Sequence, residues 1–399
     1  MMRPLSASML ALALAGCVNM APAHERPSLA SAPAYDGEYR PDGTVVASTL
    51  SYGEWFDDAR LVALIDTAVA NNRDLVAATA RIEQARAQYL STVAAQRAFY
   101  LSLIADTATT YYEIVETQEQ IALAEATAES RREGLRIAKL RLDNGVTSAL
   151  PFRQAETLLT QAEQQLASEQ LALAQLRNQL GVLVGGTVPD ALPDGLPLES
   201  QADDRRLAAG LPSDLLLVRP DIIAAEEQLR AARANIGAAR AAFFPTISLT
   251  GNAGFASDSL DDLFSGSGFG WSFGPTISLP IFDWGAREAD LDLAKALEVE
   301  QVATYDKTVQ TAFREVSDAL AGRRWLAEQV ATLERAVEAQ ERIARLARLR
   351  YREGVADYLE VLDAERNLFS ARQQLLATER AWLQNRATLF VALGGGGER

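Results

Sequence analysis

The chain has 399 residues, of which 7% are aromatic and 23% are charged, and Ala, Leu, Glu, Gln and Arg are abundant. This composition favours long helices. The formal net charge of -15 argues against a nucleic-acid-binding surface, because such a surface needs a basic patch to displace the counterions of the phosphates. We therefore expect no nucleic acid among the partners.

The first residues are typical of an export signal. Arg3 supplies a positive charge, an apolar run follows at residues 9–14, and small residues precede Cys17. The apolar run is too short for a permanent membrane-spanning helix. The sequence therefore predicts a signal peptide over residues 1–16.

Cys17 ends a Leu-Ala-Gly-Cys sequence that resembles the bacterial lipobox. This resemblance implies lipid on Cys17, and the alternative is a buried, unmodified cysteine. Val18 follows it, where an Asp would indicate retention in the inner membrane, so the resemblance implies the outer membrane. Because Cys17 is the only cysteine, the sequence excludes an intrachain disulfide and a multi-cysteine metal site. We expect no cofactor besides the covalent lipid.

A tandem repeat organises the rest of the chain. The run at residues 141–146 recurs at 350–355, and the register that pairs Gly145 with Gly354 then holds without a gap as far as the glycine pairs at 185–186 and 394–395. We call this correspondence the late register. An earlier match pairs residues 74–78 with 221–225 at a shorter offset, and we call it the early register.

The two registers differ because one repeat lacks a segment. Residues 236–297 of repeat two have no counterpart in repeat one, and their length accounts for the difference between the two offsets. The loss falls near Gln88 and Tyr89.

The unmatched part of repeat two predicts a β-hairpin. Residues 246–255 alternate between apolar and small polar side chains, and after a Gly/Ser/Asp loop the alternation returns at 269–281. Alternation of this length is typical of a transmembrane strand between lipid and a wet lumen. The alternative is a hairpin on a soluble sheet, which we disfavour because the rest of the sequence predicts no strands with which it could pair.

Long helices flank the predicted hairpin. Residues 286–349, 151–180 and 359–393 contain apolar positions at three- and four-residue spacing with charges between them. Such stripes pack against neighbouring helices. The Pro- and Gly-rich residues 185–212 separate the repeats.

The predicted fold is mainly α with membrane β, a tandem duplication of long antiparallel coiled-coil helices with one transmembrane β-hairpin. We expect the following segments: a signal peptide (1–16), a lipidated N-terminal segment (17–60), helical repeat one without its hairpin (61–184), a linker (185–212), and repeat two (213–399) with the hairpin at about 244–282.

Several specific motifs carry a family resemblance. They are Trp55-Phe-Asp-Asp and the stretches at 211–215, 219–222, 238–245, 279–285 and 361–364. Together with the repeat they resemble the outer-membrane factor family, which is TolC-like, and in particular its NodT-type efflux lipoproteins. The resemblance implies a homotrimer whose helices form an α-barrel through the periplasm and whose hairpins lie in the outer membrane. It further implies a periplasmic adaptor protein and an inner-membrane pump as partners, and a passive exit duct for small molecules as the function.

The repeated Gly145-Val146 and Gly354-Val355 interrupt helical runs and predict tight turns, since Gly tolerates positive φ. By resemblance these turns contact the adaptor; the alternative is that they are plain turns of helix hairpins.

The resemblance also places Glu360 and Asp363 at a periplasmic gate. Their spacing puts both on one face of a helix, and threefold symmetry would gather six carboxylates that attract cations. The alternative is a solvated acidic face.

The sequence gives only weak support for an enzyme, since paired carboxylates are conceivable but lie on predicted helices with no evident cleft. The only histidine is His24, in the segment after Cys17, so neither a Ser-His-Asp triad nor a histidine-rich zinc site is available. Two other functions stay open: a type I secretion exit duct, and a decayed or non-conducting structural coiled-coil lipoprotein. The second leaves the alternating hairpin unexplained.

One departure from the family concerns the missing segment. Family members carry a hairpin in each repeat and so twelve strands per trimer, whereas a trimer of this chain would supply six, below the roughly eight of the smallest bacterial single-chain barrels. Local propensity favours one continuous helix from Asp74 to Glu133, but the family topology needs a turn. We predict a reversal or sharp kink between Ala85 and Val93.

Overall fold

The computed structural model describes residues 21–22, 45–46, 50–72, 75, 91–188, 192–201, 207–208, 218–256 and 269–395. The predicted signal peptide, Cys17 and His24 lie outside these residues. The segment 76–90 does too, and with it most of the predicted reversal between Ala85 and Val93.

Helices dominate the described residues. The helices are α1 (Tyr52–Trp55), α2 (Ala59–Asn71), α3 (Ser91–Asp143), α4 (Ala149–Leu183), α5 (Pro220–Ala241), α6 (Ala286–Arg352) and α7 (Tyr358–Ala392), with a 3₁₀ helix at Leu198–Gln201. The strands are β1 (Val45–Val46), β2 (Leu207–Ala208), β3 (Thr246–Phe255) and β4 (Phe269–Ser278). The three predicted long helices are confirmed as α4, α6 and α7. Across the described ranges, no helix has a stretch long and apolar enough to cross a membrane.

The chain divides into two compact units. The first comprises residues 1–30 and 225–308, and the second comprises residues 31–224 and 309–399. The helices α5 and α6 each contribute to both units.

The first unit contains the β-hairpin. β3 and β4 pair antiparallel over their full length, from Thr246 opposite Ser278 to Phe255 opposite Phe269. The first predicted strand is confirmed, but the second ends at Ser278 and not at 281. Ser278 pairs with Thr246, the first residue of β3, so the residues after Ser278 have no partner in this sheet.

The second unit is a set of long packed helices. α3 packs along α4, and α7 and α2 pack on α3. Small side chains allow these helices to approach closely, since Ala108, Ala124 and Ala138 of α3 are all buried. The predicted antiparallel helix hairpins are thus confirmed in this unit.

Arg386 of α7 holds two other segments in the second unit. Its guanidinium group donates hydrogen bonds to the carbonyl oxygens of Gln201 (2.6 Å) and Trp55 (3.0 Å) and to the carboxylate of Asp57 (3.2 Å). The indole of Trp55 donates to the carbonyl of Arg386 and packs 5.5 Å from the ring of Phe390. The N-terminal segment and the linker are therefore fixed to the same helix.

A second, very short sheet also joins these two segments. β1 and β2 pair in parallel, with Val45 opposite Leu207 and Val46 opposite Ala208. The expectation that no strands occur outside the hairpin is therefore wrong. Strands this short show too little alternation to be read from sequence, so this sheet was missed.

Both repeats end in the same turn. Gly185 and Gly394 have positive φ of 78° and 84°, and the next residue donates its N–H to a carbonyl five residues earlier, from Gly186 to Gly181 and from Gly395 to Phe390. This pattern is the Schellman motif, which satisfies the last carbonyls of a helix. The late register between the repeats is therefore confirmed in three dimensions.

Candidate functional site

Two tight turns close the helix hairpins of the second unit. Gly145 between α3 and α4 has φ 68°, and Gly354 between α6 and α7 has φ 75°. Val146 donates to the carbonyl of Arg141 (2.8 Å), and Val355 donates to that of Arg350 (2.9 Å). These Schellman turns confirm the predicted turns. A side chain at either glycine would strain the backbone, because the left-handed region crowds a Cβ.

The two turns present apolar side chains to solvent. Val146 is 63% exposed and Val355 is 70% exposed, and the nearby Leu150 and Leu359 are also exposed. Leu150 and Leu359 are equivalent in the two repeats, so both tips offer the same small apolar surface. Such a surface suits a protein partner.

A core of alanines and larger apolar residues supports the second tip. It contains Ala138, Ala155, Ala344, Ala347, Tyr358, Val361, Leu362, Ala364 and Leu368. Burial, followed by the nearby charges of Glu365 and Tyr351, raises the pKa of Tyr358 to about 12. Four helices, α3, α4, α6 and α7, therefore contribute to the core beneath this tip.

Glu360 and Asp363 lie one turn apart on the exposed face of α7, while Val361 and Leu362 between them are buried. The predicted common face is thus confirmed. Each acid has an arginine partner: Arg350 lies 3.1 Å from the Glu360 carboxylate, and Arg366 lies 3.0 Å from that of Asp363. In the isolated chain the local charge is therefore balanced, a feature that the sequence analysis missed.

The β-hairpin has two chemically distinct faces in the first unit. Its pairing brings Ala253 opposite Trp271, Gly251 opposite Phe273, and Leu249 opposite Pro275 on one face, and these side chains are exposed. The other face pairs polar residues, including Asn252 with Ser272 and Ser248 with Thr276. The predicted alternation is therefore confirmed, and it suits a boundary between lipid and water.

A cavity of about 820 Å³ in the second unit contains an acidic group that the sequence analysis did not single out. Glu379 of α7 lies there with Glu119 of α3 and Glu199 of the 3₁₀ helix. Burial, together with the charges of Glu119, Glu199 and Glu334, raises the pKa of Glu379 to about 7. Only the packing of several elements creates this environment, so a single sequence offers no signal for it.

The described residues include no group of three or more His, Cys, Asp or Glu side chains arranged to hold a metal ion.

Known proteins resemble the chain over most of its length. Residues 78–186 and 211–395 match the sequence model of a family described as outer membrane efflux protein. The solvent efflux pump outer membrane protein SrpC of Pseudomonas putida is 47% identical over 313 residues, which cover 78% of this chain. The chain spans 66% of the length of SrpC.

The cation efflux system protein CusC of Escherichia coli is 34% identical over 452 residues, which cover 97% of each protein. This alignment is longer than the 399 residues of the chain, so CusC contains residues with no counterpart here. The finding agrees with the loss of a segment from this chain, and its position in repeat one stays a prediction. The open-state crystal structure of the Neisseria gonorrhoeae MtrE outer membrane channel matches with a TM-score of 0.85 at 34% identity, covering 95% of this chain and 98% of MtrE.

Proposed function

Because the chain belongs to the outer membrane efflux protein family, we propose that it is the outer-membrane duct of a tripartite efflux system. In this role it is a passive exit path for small molecules across the periplasm and the outer membrane, and it catalyses no reaction. The observation that carries the proposal is the match to the MtrE channel over nearly the whole of both chains.

The two faces of the hairpin support a location in the outer membrane. Aromatic side chains such as Trp271 and Phe273 would face lipid, and the polar face with Ser272 would face the lumen. The helices would extend into the periplasm. A lipid on Cys17 would provide a second anchor, which suits the two-signal requirement for stable membrane attachment.

The helix tips support contact with a periplasmic adaptor that links the duct to an inner-membrane pump. The exposed pairs Val146 with Leu150 and Val355 with Leu359 give each copy two equivalent docking points. A homotrimer would present six such points around its lower end, and binding to several of them at once would strengthen a weak single contact.

Glu360 and Asp363 would form the gate in the assembled duct. Each of the two acids has an arginine partner, so ion pairs would stabilise the closed gate. Arg350 of α6 pairs with Glu360 of α7 and thereby links the two helices. Opening would require this ion pair to rearrange.

Complementation of transport tests the proposed function. The experiment uses cells that lack an endogenous outer-membrane efflux duct and that express the pump and adaptor of a cognate system. The full chain is either added or omitted. The fluorescent pump substrate that the cells retain is then measured. We expect the chain to lower retention only when pump and adaptor are present.

A matched variant controls for expression. Val355→Asp with Val146→Asp should reach the outer membrane but leave retention high, because charged tips cannot dock on an apolar partner surface. Unchanged retention with the unaltered chain, despite its presence in the outer membrane as an oligomer, would contradict the proposed function.

A further inference from the structure

The carboxylate of Glu379 has no partner of opposite charge. Glu379 is only 7% exposed, and its side chain lies on the wall of the cavity of about 820 Å³ in the second unit. Among the described residues, none forms an ion pair or a hydrogen bond with this carboxylate. The neighbouring Arg380 pairs with Glu116 of α3 instead, at 2.5 Å. A buried carboxylate without a cation is costly, and such a group on the wall of a cavity marks a candidate binding site.

Acidic side chains surround Glu379 on three elements. Burial is the largest cause that raises its pKa to about 7, followed by the charges of Glu119 of α3, Glu199 of the 3₁₀ helix and Glu334 of α6. Burial also raises the pKa of Glu119, although the N–H of Leu198 donates a hydrogen bond of 3.0 Å to its carboxylate. The part of the cavity next to Glu379 therefore repels anions and attracts cations.

Two arginines of the cavity wall do not offset this charge. Arg60 of α2 and Arg177 of α4 both line the cavity, but neither is among the groups that shift the pKa of Glu379. The charge of Arg60 acts on Tyr111 instead, where it partly opposes the rise in pKa that burial causes. Arg177 is exposed to solvent, which screens its charge. The negative charge at Glu379 is therefore unbalanced within the described residues.

The rest of the wall is mainly apolar, and hydrogen bonds hold it in place. The apolar lining includes Leu64, Ile114, Leu180, Leu196, Leu375 and Leu376. The buried carboxylate of Asp58 accepts hydrogen bonds from the hydroxyl of Tyr111 (2.5 Å) and from the N–H of Leu196 (3.1 Å). A Cβ at Gly195 would lie 2.6 Å from the Tyr111 hydroxyl, so the linker approaches α3 as closely as a glycine allows. The cavity is thus formed by the fold itself.

The ligand set and the volume decide between kinds of cation. The described residues include no group of three or more His, Cys, Asp or Glu side chains arranged to hold a metal ion, so these acids do not form a metal site. The volume of about 820 Å³ lies within the roughly 300–1,000 Å³ that is typical of small-molecule pockets. An organic cation fits both conditions, because its charge would pair with Glu379 and its apolar body would cover the leucines.

We propose that this cavity binds a small organic cation, an amine with an apolar body, whose ammonium group pairs with the carboxylate of Glu379. The ammonium group would donate hydrogen bonds to the carboxylate oxygens, and the apolar body would lie against Leu375 and Leu376 of α7. A passive duct needs no such site, so the inference goes beyond the proposed function.

A matched pair of probes tests the proposal. Phenylbutylamine carries a terminal ammonium group on an apolar body, and phenylbutanol is its uncharged counterpart of nearly the same shape. In isothermal titration calorimetry of the detergent-extracted full chain at pH 8, the amine should bind about tenfold or more tightly than the alcohol, because its hydrogen bond to Glu379 joins two charged groups. Equal affinities, or no saturable binding of the amine, would overturn the proposal.

Glu379→Gln should remove the advantage of the amine. At pH 8 this variant should bind the amine about tenfold or more weakly than the unaltered chain does, while its affinity for the alcohol should change little. Glu133→Gln is the matched control, since it removes an exposed carboxylate of α3 that does not line the cavity, and it should leave both affinities unchanged. A Glu379→Gln variant that binds the amine as tightly as the unaltered chain does would contradict the proposed ion pair.

The pH dependence of binding is a readout that a mere change of cavity shape would not move. An alkylamine stays charged to about pH 10, whereas Glu379 binds a proton below about pH 7, so the amine must displace that proton in acid. Its affinity for the unaltered chain should therefore be constant above about pH 8 and fall about tenfold from pH 6 to pH 5. Glu379→Gln should abolish this fall, and an unaltered chain without it would disprove the proposal.

Competition with a metal ion separates the two kinds of cation. Millimolar Ca²⁺ should not displace the amine, because the acids at the cavity are not arranged to hold a metal ion. Displacement of the amine by Ca²⁺ would assign the acids to a metal site and overturn the proposal. Because all these readouts measure binding, a chain that binds the amine as expected yet expels no substrate contradicts the proposed function alone.

Discussion

The guanidinium group of Arg219 donates a hydrogen bond of 2.9 Å to the carbonyl oxygen of Ala392 at the end of α7. The first repeat contains the same bond with a different donor, because the amide of Asn72 donates to the carbonyl of Leu183 at 3.1 Å. The early register relates Asn72 to Arg219, and the late register relates Leu183 to Ala392. The donors are therefore equivalent in the early register and the acceptors are equivalent in the late register. In each repeat, a side chain donates a hydrogen bond to a carbonyl group at the end of the last helix.

Arg219→Ala should lower the free energy of unfolding by about 2 to 3 kcal/mol, because it removes a buried charged donor and leaves Asp221 and Glu315 without their ion pairs. Thermal denaturation followed by circular dichroism measures the effect. Arg314→Ala removes an exposed pair with Asp318 and should change stability by about 0.5 kcal/mol or less. Equal losses in the two variants would contradict this explanation.

Gly354→Ala should destabilise the second helix hairpin by about 1 to 2 kcal/mol, since φ at this residue is 75° and a Cβ disfavours that conformation. Gly354→Asn should cost less, because asparagine adopts the left-handed region more readily. Thermal unfolding of the two variants compares them directly. If alanine and asparagine cost the same, backbone strain is not the cause.

Local patterns allowed the sequence to predict much of the fold. The alternation in β3 and β4, the glycines at 145 and 354 and the long helices depend on neighbouring residues, and each was confirmed. The contacts that were missed depend on residues distant in sequence. Arg350 reaches Glu360 across a helix hairpin, and several elements surround Glu379. No local periodicity records such tertiary neighbours.

Cys17→Ser should abolish incorporation of labelled palmitate into the chain, because the lipobox resemblance assigns the thiol as the acylation site. Metabolic labelling followed by purification of the full chain provides the measurement. Membrane fractionation of the same cells should show whether the hairpin alone retains the chain in the outer membrane. Continued labelling of the serine variant would rule out the predicted anchor.

Glu360→Ala with Asp363→Ala should reduce the preference for cations, and the block by divalent cations, in any channel that the chain forms. Arg350→Gln with Arg366→Gln is a control of opposite sign, because it frees both carboxylates and should increase the cation preference. Reversal potentials in planar bilayers with a salt gradient measure both. If the Glu360→Ala, Asp363→Ala variant conducts with unchanged cation selectivity, these two residues lie on a solvated face and not at a gate.

Glu379 should make stability depend on pH in a direction opposite to that of a normal ion-paired acid. Its pKa is raised to about 7, first by burial and then by Glu119, Glu199 and Glu334, whereas the unfolded chain has the usual value near 4.5. Between these values the folded state binds more protons than the unfolded state, so stability falls as pH rises from about 4.5 to about 7.

Glu379→Gln removes this proton uptake. The variant should be as stable as the unaltered chain near pH 4, and its free energy of unfolding should be larger by about 1 to 3 kcal/mol at pH 8. The reason is that an uncharged amide avoids the repulsion and the desolvation that a carboxylate suffers there. Unfolding by denaturant at a series of pH values measures the difference. Glu133→Gln is the control: the pKa of Glu133 is lowered by its hydrogen bond with Arg136, so this variant cannot gain stability as pH rises. If the gain in free energy of unfolding is the same at every pH, the substitution acts through packing and not through the protonation of this carboxyl group.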